Sequence, residues 1–370
     1  MTLTPKIRMA APTRGRGGGA WHPMIRRHHQ KGITFIVATA ILLAAAGVLA
    51  LTQSQPAPAQ NLKAIKADYR RPAALPVENK ALANLGRDLF FDTRISASGR
   101  TSCASCHLPE LGYVVTEAHP INDSGKPTSR KSQPLIGLGH AGKALIGWDG
   151  RSATLEAQTK SSIATGSMSM RETSSPVKVE IIEERVKSDS GYAAKFNAAL
   201  PGRPIDVDAI AAALAAFERT LEPAITPFDR WIAGDETAIS AAAKRGFALF
   251  NGKAACVACH NGWRFTDDQF HDIGTTTTDQ GRGKAVKDET LNFAFKTPTL
   301  RAVAVRAPYM HNASLATLDD VMRHYEKGGI DRPSRSPLLV PIQLSDAERG
   351  DLVAFMETLT GDGEGAKSRH

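Results

Sequence analysis

The 370-residue chain has only four cysteines, and all four fall in two C-x-x-C-H strings, so none is left over for a disulfide framework. Sustained alternation of apolar and polar residues is also missing, which argues against a sheet protein and for a mostly α fold. Residues 1–32 lack aspartate and glutamate altogether. Lys6, Arg8, Arg14, Arg16, Arg26, Arg27 and Lys31 stand unopposed there, so seven of the nine net positive charges belong to this one tail. The rest of the chain is nearly neutral, and no nucleic-acid footprint is visible. Aromatic residues are sparse at 6%, whereas 42% hydrophobic and 22% charged residues are ordinary for a globular protein.

One long apolar run is present. Residues 33–51 carry no charge over 19 positions, enough to cross a bilayer as a helix, and the basic stretch before them suits a cytoplasmic flank. Ala57-Pro58-Ala59 follows and offers small residues to a signal peptidase. The run reads either as an uncleaved anchor, favoured by its length and by the extended basic stretch, or as a cleaved signal. Arg26-Arg27 with Lys31 only faintly resembles a twin-arginine signal. Both routes place the residues that follow in the periplasm, anchored to the inner membrane by residues 33–51 if the helix is retained.

The chain divides by composition into a basic tail (1–32), the apolar helix (33–51), a linker (52–77), two domains (78–225 and 226–362) and a short tail (363–370). Periodicity predicts helices over 180–187, 207–221, 238–250, 318–326 and 346–359, with Ser345 and Glu348 as a capping box. Residues 123–133 read as a long surface loop. LGRDLF at 85–90 precedes the first cysteine pair and RGFALF at 245–250 the second, so one module is used twice.

The strings are Cys103-Ala104-Ser105-Cys106-His107 and Cys256-Val257-Ala258-Cys259-His260. Two cysteines at this spacing suit the two vinyl groups of a haem, and the adjoining histidine reaches the iron from one side. A lone C-x-x-C also fits a thioredoxin-like redox pair or half a zinc site. Two copies, each followed directly by histidine in an exported chain, point to two covalently bound haem c groups. What holds the sixth position of each iron then decides the chemistry, because a second strong ligand makes an electron carrier and a vacant site admits peroxide.

The strings LGRDLFFDTRISASGRTSCASCH, GWDGR (147–151), FTDDQFHDIG (265–274) and FKTPTLRAVAVRAPYMHNASLATLDDVMRHYEKGG (295–329) together resemble the bacterial di-haem cytochrome c peroxidase and MauG family. The resemblance spans roughly residues 78–360. It implies two cytochrome c-like domains, a peroxide-reactive haem on His107 and an electron-transfer haem on His260, with Trp148 relaying electrons between them. It places Gln158 in the reactive pocket. The family's acid/base glutamate falls on Ser167 or on Met168, depending on the alignment. Neither does a carboxylate's work; Glu172 lies close enough to substitute, and Met168 or Met170 could instead ligate iron. The distal ligand of the second haem falls on Tyr325, as in MauG, with Met322 and Met310 as fallbacks; simple packing of Tyr325 against Leu318 and Val321 is the competing reading. His119, ahead of His140, matches a loop histidine that closes the resting site in the peroxidases.

The resemblance further implies one calcium ion between the haems, held by Gln133 and the carbonyls of Arg306 and Pro308. It implies hydrogen peroxide as substrate and a small periplasmic electron donor, a cytochrome c or a cupredoxin, with a homodimer among the possible states. This is the cytochrome-c peroxidase reaction. The alternatives are a MauG-like enzyme that oxidises residues of a partner protein through a high-valent di-haem state, and a non-catalytic di-haem carrier. MauG uses a surface tryptophan just before its second motif. Ala254 stands there, leaving Trp263 as the only nearby substitute.

Overall fold

The structure, a computed structural model, describes residues 59–170 and 179–361. The basic tail, the apolar run 33–51, Glu172 and residues 363–370 lie outside the described residues. No helix among the described residues is long and apolar enough to cross a membrane.

The helices are α1 (Ala59–Asp68), α2 (Lys80–Phe91), α3 (Leu155–Ala164), α4 (Glu180–Lys187), α5 (Ser190–Ala199), α6 (Val207–Glu218), α7 (Pro227–Ala233), α8 (Ala241–Asn251), α9 (Gly281–Val286), α10 (Leu318–Lys327) and α11 (Asp346–Glu357). Strand structure among the described residues is one short antiparallel pair, β1 (Phe270–His271) and β2 (Phe295–Lys296). The mostly α expectation is met.

Side-chain caps set where the helices begin. Asn79, Asp206, Ser240 and Ser345 each accept the backbone N–H three residues on, and Ser345 and Glu348 form the expected capping box. Such caps contribute about 1 kcal/mol each. Ser240 is why α8 begins at Ala241 and not at 238. At its other end, α6 stops at Glu218 and not at 221, because the Thr220 hydroxyl bonds the Phe217 carbonyl at 2.7 Å and competes with helical pairing.

The sequence repeat has a packing cause. Gly86 on α2 lies against the α6 backbone, where an added Cβ would sit 1.9 Å from the Ala213 carbonyl oxygen. Gly246 on α8 lies against α11 in the same way, 2.0 Å from the Asp351 carbonyl oxygen. Four residues beyond each glycine a phenylalanine meets its counterpart: Phe90 packs on Phe217 at 5.2 Å and Phe250 on Phe355 at 5.1 Å between ring centroids. Each glycine thus brings two helix axes close enough for the aromatic edge contact.

Two hydrophobic clusters result. One is built on Leu85, Leu89, Phe90, Ile210 and Leu214, the other on Phe228, Phe247, Phe250, Leu352 and Phe355. Residues 52–77, expected to be a linker, depart from that reading. They include α1, and Tyr69 is buried among Phe228, Phe247 and Phe265 of the second cluster. Residues 123–133 are irregular, as expected, but not simply a surface loop. Asp123 is buried and accepts both the amide and the hydroxyl of Ser98, and Lys131 is buried at the other end.

Gly86→Ala and Gly246→Ala should each destabilise the holoprotein by roughly 1–3 kcal/mol through overpacking at a helix crossing. Gly350→Ala on exposed α11, where an added Cβ meets nothing within 4 Å, should be neutral or stabilising. Denaturant midpoints of the three variants check this ordering.

Candidate functional site

Both C-x-x-C-H strings fold alike. Cys103–Ser105 and Cys256–Ala258 are single 3-10 turns, and the chain after each histidine bends back beneath the ring. His107 Nδ1 donates to the Tyr113 carbonyl at 2.7 Å, and His260 Nδ1 to the Phe265 carbonyl at 2.9 Å. A carbonyl only accepts, so Nδ1 carries the proton on both rings and Nε2 keeps its lone pair for a metal. Tyr113 (φ 61°) and Phe265 (φ 53°) both occupy the left-handed region, a backbone cost characteristic of functional sites. Burial lowers the pKa of both imidazoles, which keeps them neutral as iron ligands must be.

Two cavities open beside these histidines. The first, about 370 Å³, is lined by Cys103, Cys106 and His107; the second, about 570 Å³ and mostly apolar, by Cys256, Cys259 and His260. No disulfide links any of the cysteines. Burial pushes the Cys103 thiol well up and the Cys256 thiol to about 12, so neither is a thiolate poised for exchange or for zinc. Buried polar atoms without a protein partner belong to residues that line these spaces: Gln158 Oε1 in the first, His311 Nε2 in the second. A cavity with paired thiols, one oriented histidine and an orphaned polar atom fits a covalent haem in each half.

Trp148 lines both cavities. Its indole N–H donates to the Lys131 carbonyl at 2.8 Å, and its ring centroid lies 6.3 Å from that of His311. The conformation around it is held from two sides. The Trp148 carbonyl accepts the Lys296 amide, and Asp149 takes Arg130 at 2.7 Å and Arg151. Burial alone would raise the Asp149 carboxyl, but hydrogen bonds from Arg151 and Arg130 hold it at about 2.

Gln158, Ser167 and Met168 line the first cavity together with His107. Met168 Sδ sits 3.9 Å from Cys103 Sγ, beside the cysteine that would hold the first haem. The sequence reading missed Glu218, a carboxyl only 7% exposed on the wall of the same cavity. Burial raises it to about 8 against the pull of Arg219, so it holds its proton at neutral pH. A lone acid directly after an apolar helix run, AAALAAFE, was the available signal.

In the second cavity Tyr325 is present, along with Met310 and Met322. The Tyr325 hydroxyl makes no hydrogen bond among the described residues, and burial raises its pKa well above the ordinary phenol value. The competing reading, packing on the α10 face, also holds in part, since Leu318, Val321 and Tyr325 line one wall together.

Three expectations are corrected. His119 is exposed and lines neither cavity. Trp263 is buried at 7% exposure, with the Arg71 and Arg301 guanidinium groups 5.1 and 5.3 Å from its ring centre, so it offers no surface relay. The calcium ligands are not assembled as expected. Gln133 lines the first haem cavity, while the Arg306 and Pro308 carbonyls accept the Lys131 ammonium at 2.9 and 2.8 Å. His140 pairs with Glu222 at 2.7 Å and lines neither cavity.

Replacing Cys103 and Cys106 together by alanine should cut covalent haem from two to one per chain by intact-protein mass spectrometry. Replacing Cys256 and Cys259 should do the same and spare the first.

Residues 80–237 match the pattern of the di-haem cytochrome c peroxidases, and residues 243–360 that of cytochrome c. The chain is 44% identical to the methylamine utilization protein MauG of Methylorubrum extorquens, over 85% of this chain and 89% of that protein. It is 35% identical to cytochrome-c peroxidase IdrP1 of Denitromonas iodatirespirans, over 78% and 85%. Among solved structures, a MauG-like protein associated with microbial copper homeostasis superposes with a TM-score of 0.70 at 28% identity, over 81% of this chain and 96% of that one. With two histidine-anchored haem cavities flanking one tryptophan, and with these relatives, the chain belongs to the family of di-haem cytochrome c peroxidases and MauG proteins.

Proposed function

We propose that the chain is a periplasmic di-haem peroxidase that reduces hydrogen peroxide in the first cavity. Its electrons come from a small redox protein, a cytochrome c or a cupredoxin, through the second cavity and Trp148. The observation that carries this is the first cavity itself. It gathers one oriented histidine, Gln158 and a protonated Glu218 around one space, with the Met168 sulfur beside Cys103.

A haem held by Cys103, Cys106 and His107 would supply the iron redox chemistry for cleaving the O–O bond. The protein supplies the rest. One peroxide, two electrons and two protons give two waters, so a proton must reach the departing oxygen as the bond breaks. The Glu218 carboxyl holds one inside the cavity, where neither Ser167 nor Met168 offers an acidic one, and regains it from solvent afterwards. The unpartnered Gln158 oxygen accepts a hydrogen bond from the peroxide and orients it.

A second reading has its own support. Tyr325 in the second cavity, and the likeness to MauG, favour oxidation of a partner protein through the same pair of haems, because an anionic oxygen ligand stabilises the higher iron charge. The buried Ala254 and Trp263 leave no tryptophan at the surface beside the second motif. On that ground peroxide reduction ranks first.

Glu218 donates only while protonated, so its contribution is present below about pH 8 and lost as pH rises through that value. Steady-state peroxide reduction with a reduced small cytochrome c should show this alkaline limb. Glu218→Gln should remove the limb and lower kcat by about 10²–10⁴-fold, the usual range for general acid catalysis. A wild-type rate and pH profile in that variant would eliminate Glu218 as the donor. Absence of peroxide turnover in the intact holoprotein would eliminate the peroxidase reading.

A further inference from the structure

Two main-chain carbonyls, of Arg306 and Pro308, converge on a single point beside the second cavity. Convergent neutral oxygens are what a hard divalent cation takes. Here the point is occupied by the Lys131 ammonium, 2.9 Å from one oxygen and 2.8 Å from the other. A calcium ion would sit about 2.4 Å from the same oxygens, so ion and ammonium would overlap and repel. The lysine makes no direct ion pair with a carboxylate among the described residues, Glu117 acting on it only at longer range, and it is 5% exposed against the wall of the second cavity. The backbone of the same residue does two further jobs. Its N–H donates to the His311 carbonyl at 2.8 Å, and its carbonyl accepts the Trp148 indole.

We propose that Lys131 is a built-in replacement for a divalent cation: its ammonium fills the carbonyl pair beside the second haem cavity, and the protein neither binds nor needs calcium there. The site that orders Trp148 is therefore part of the chain and does not respond to free calcium or to chelators. This inference stands on the carbonyl geometry and does not depend on which substrate the enzyme oxidises.

The test uses the holoprotein. Wild type, dialysed against calcium and then against buffer, should hold no stoichiometric calcium by elemental analysis. Its haem absorption spectrum should be unchanged by EGTA or by added calcium. Lys131→Asn removes the ammonium and supplies an amide oxygen. That oxygen plus one metal–oxygen distance of roughly 2.4 Å covers about the reach of the longer lysine stem. The variant should take up one calcium per chain, and EGTA should shift its spectrum. Lys131→Met, with no oxygen to offer, should stay calcium-free. One calcium per wild-type chain, released by EGTA with a spectral change, overturns the proposal. So does a Lys131→Asn protein that carries both haems yet binds no calcium. If Lys131→Asn does not accumulate, calcium content and chelator response of the wild type decide alone.

Discussion

Lys131 donates through its ammonium to the Arg306 and Pro308 carbonyls and through its N–H to the His311 carbonyl, while its own carbonyl accepts the Trp148 indole. Next to it, Arg130 pairs with both Asp149 and Asp279. These two residues tie the loop that ends the first haem-binding stretch to segments that build the second cavity, and they fix the tryptophan shared by both. Burying an ammonium with no carboxylate in direct contact costs several kcal/mol. Hydrogen bonds to a charged group return roughly 1.5–3 kcal/mol each. Such an arrangement is a poor device for stability alone. It makes sense where the position of Trp148 has to be held.

The rest of the architecture is one helix pair used twice. Gly86 with Phe90 against α6, and Gly246 with Phe250 against α11, give the same close crossing. The same histidine-to-carbonyl bond follows each cysteine pair. Against this common frame the cavities differ where chemistry is decided. The first is walled by Gln158 and Glu218, the second mainly by apolar side chains with Tyr325 and three methionines. One scaffold therefore offers a proton-bearing pocket beside a more apolar one.

Much of this was legible in the sequence because its causes are local. The C-x-x-C-H strings, the Gly-x-x-Leu-Phe repeat and the Ser345 capping box are contiguous patterns with one physical reading each. The misses are non-local. Lys131 sits in a polar stretch whose composition reads as solvent-facing, and only the return of residues 306–308 from far along the chain buries it. Matching the amide of a cation site to Gln133 failed for the same reason: the side chain that reaches those carbonyls is two residues earlier. Glu218 was hidden by the strength of the apolar pattern around it, and Tyr69 by a linker-like composition that conceals its docking on Phe228 and Phe247.

The central claim is that two similarly built haem sites are chemically unequal, the first open to peroxide and the second closed by a protein ligand. Electron paramagnetic resonance of the diferric holoprotein, before and after peroxide, tests this most directly. The account predicts one high-spin five-coordinate ferric haem beside one low-spin haem, with the high-spin signal lost on adding peroxide. Two low-spin haems, both inert to peroxide in the diferric and half-reduced states, would contradict it.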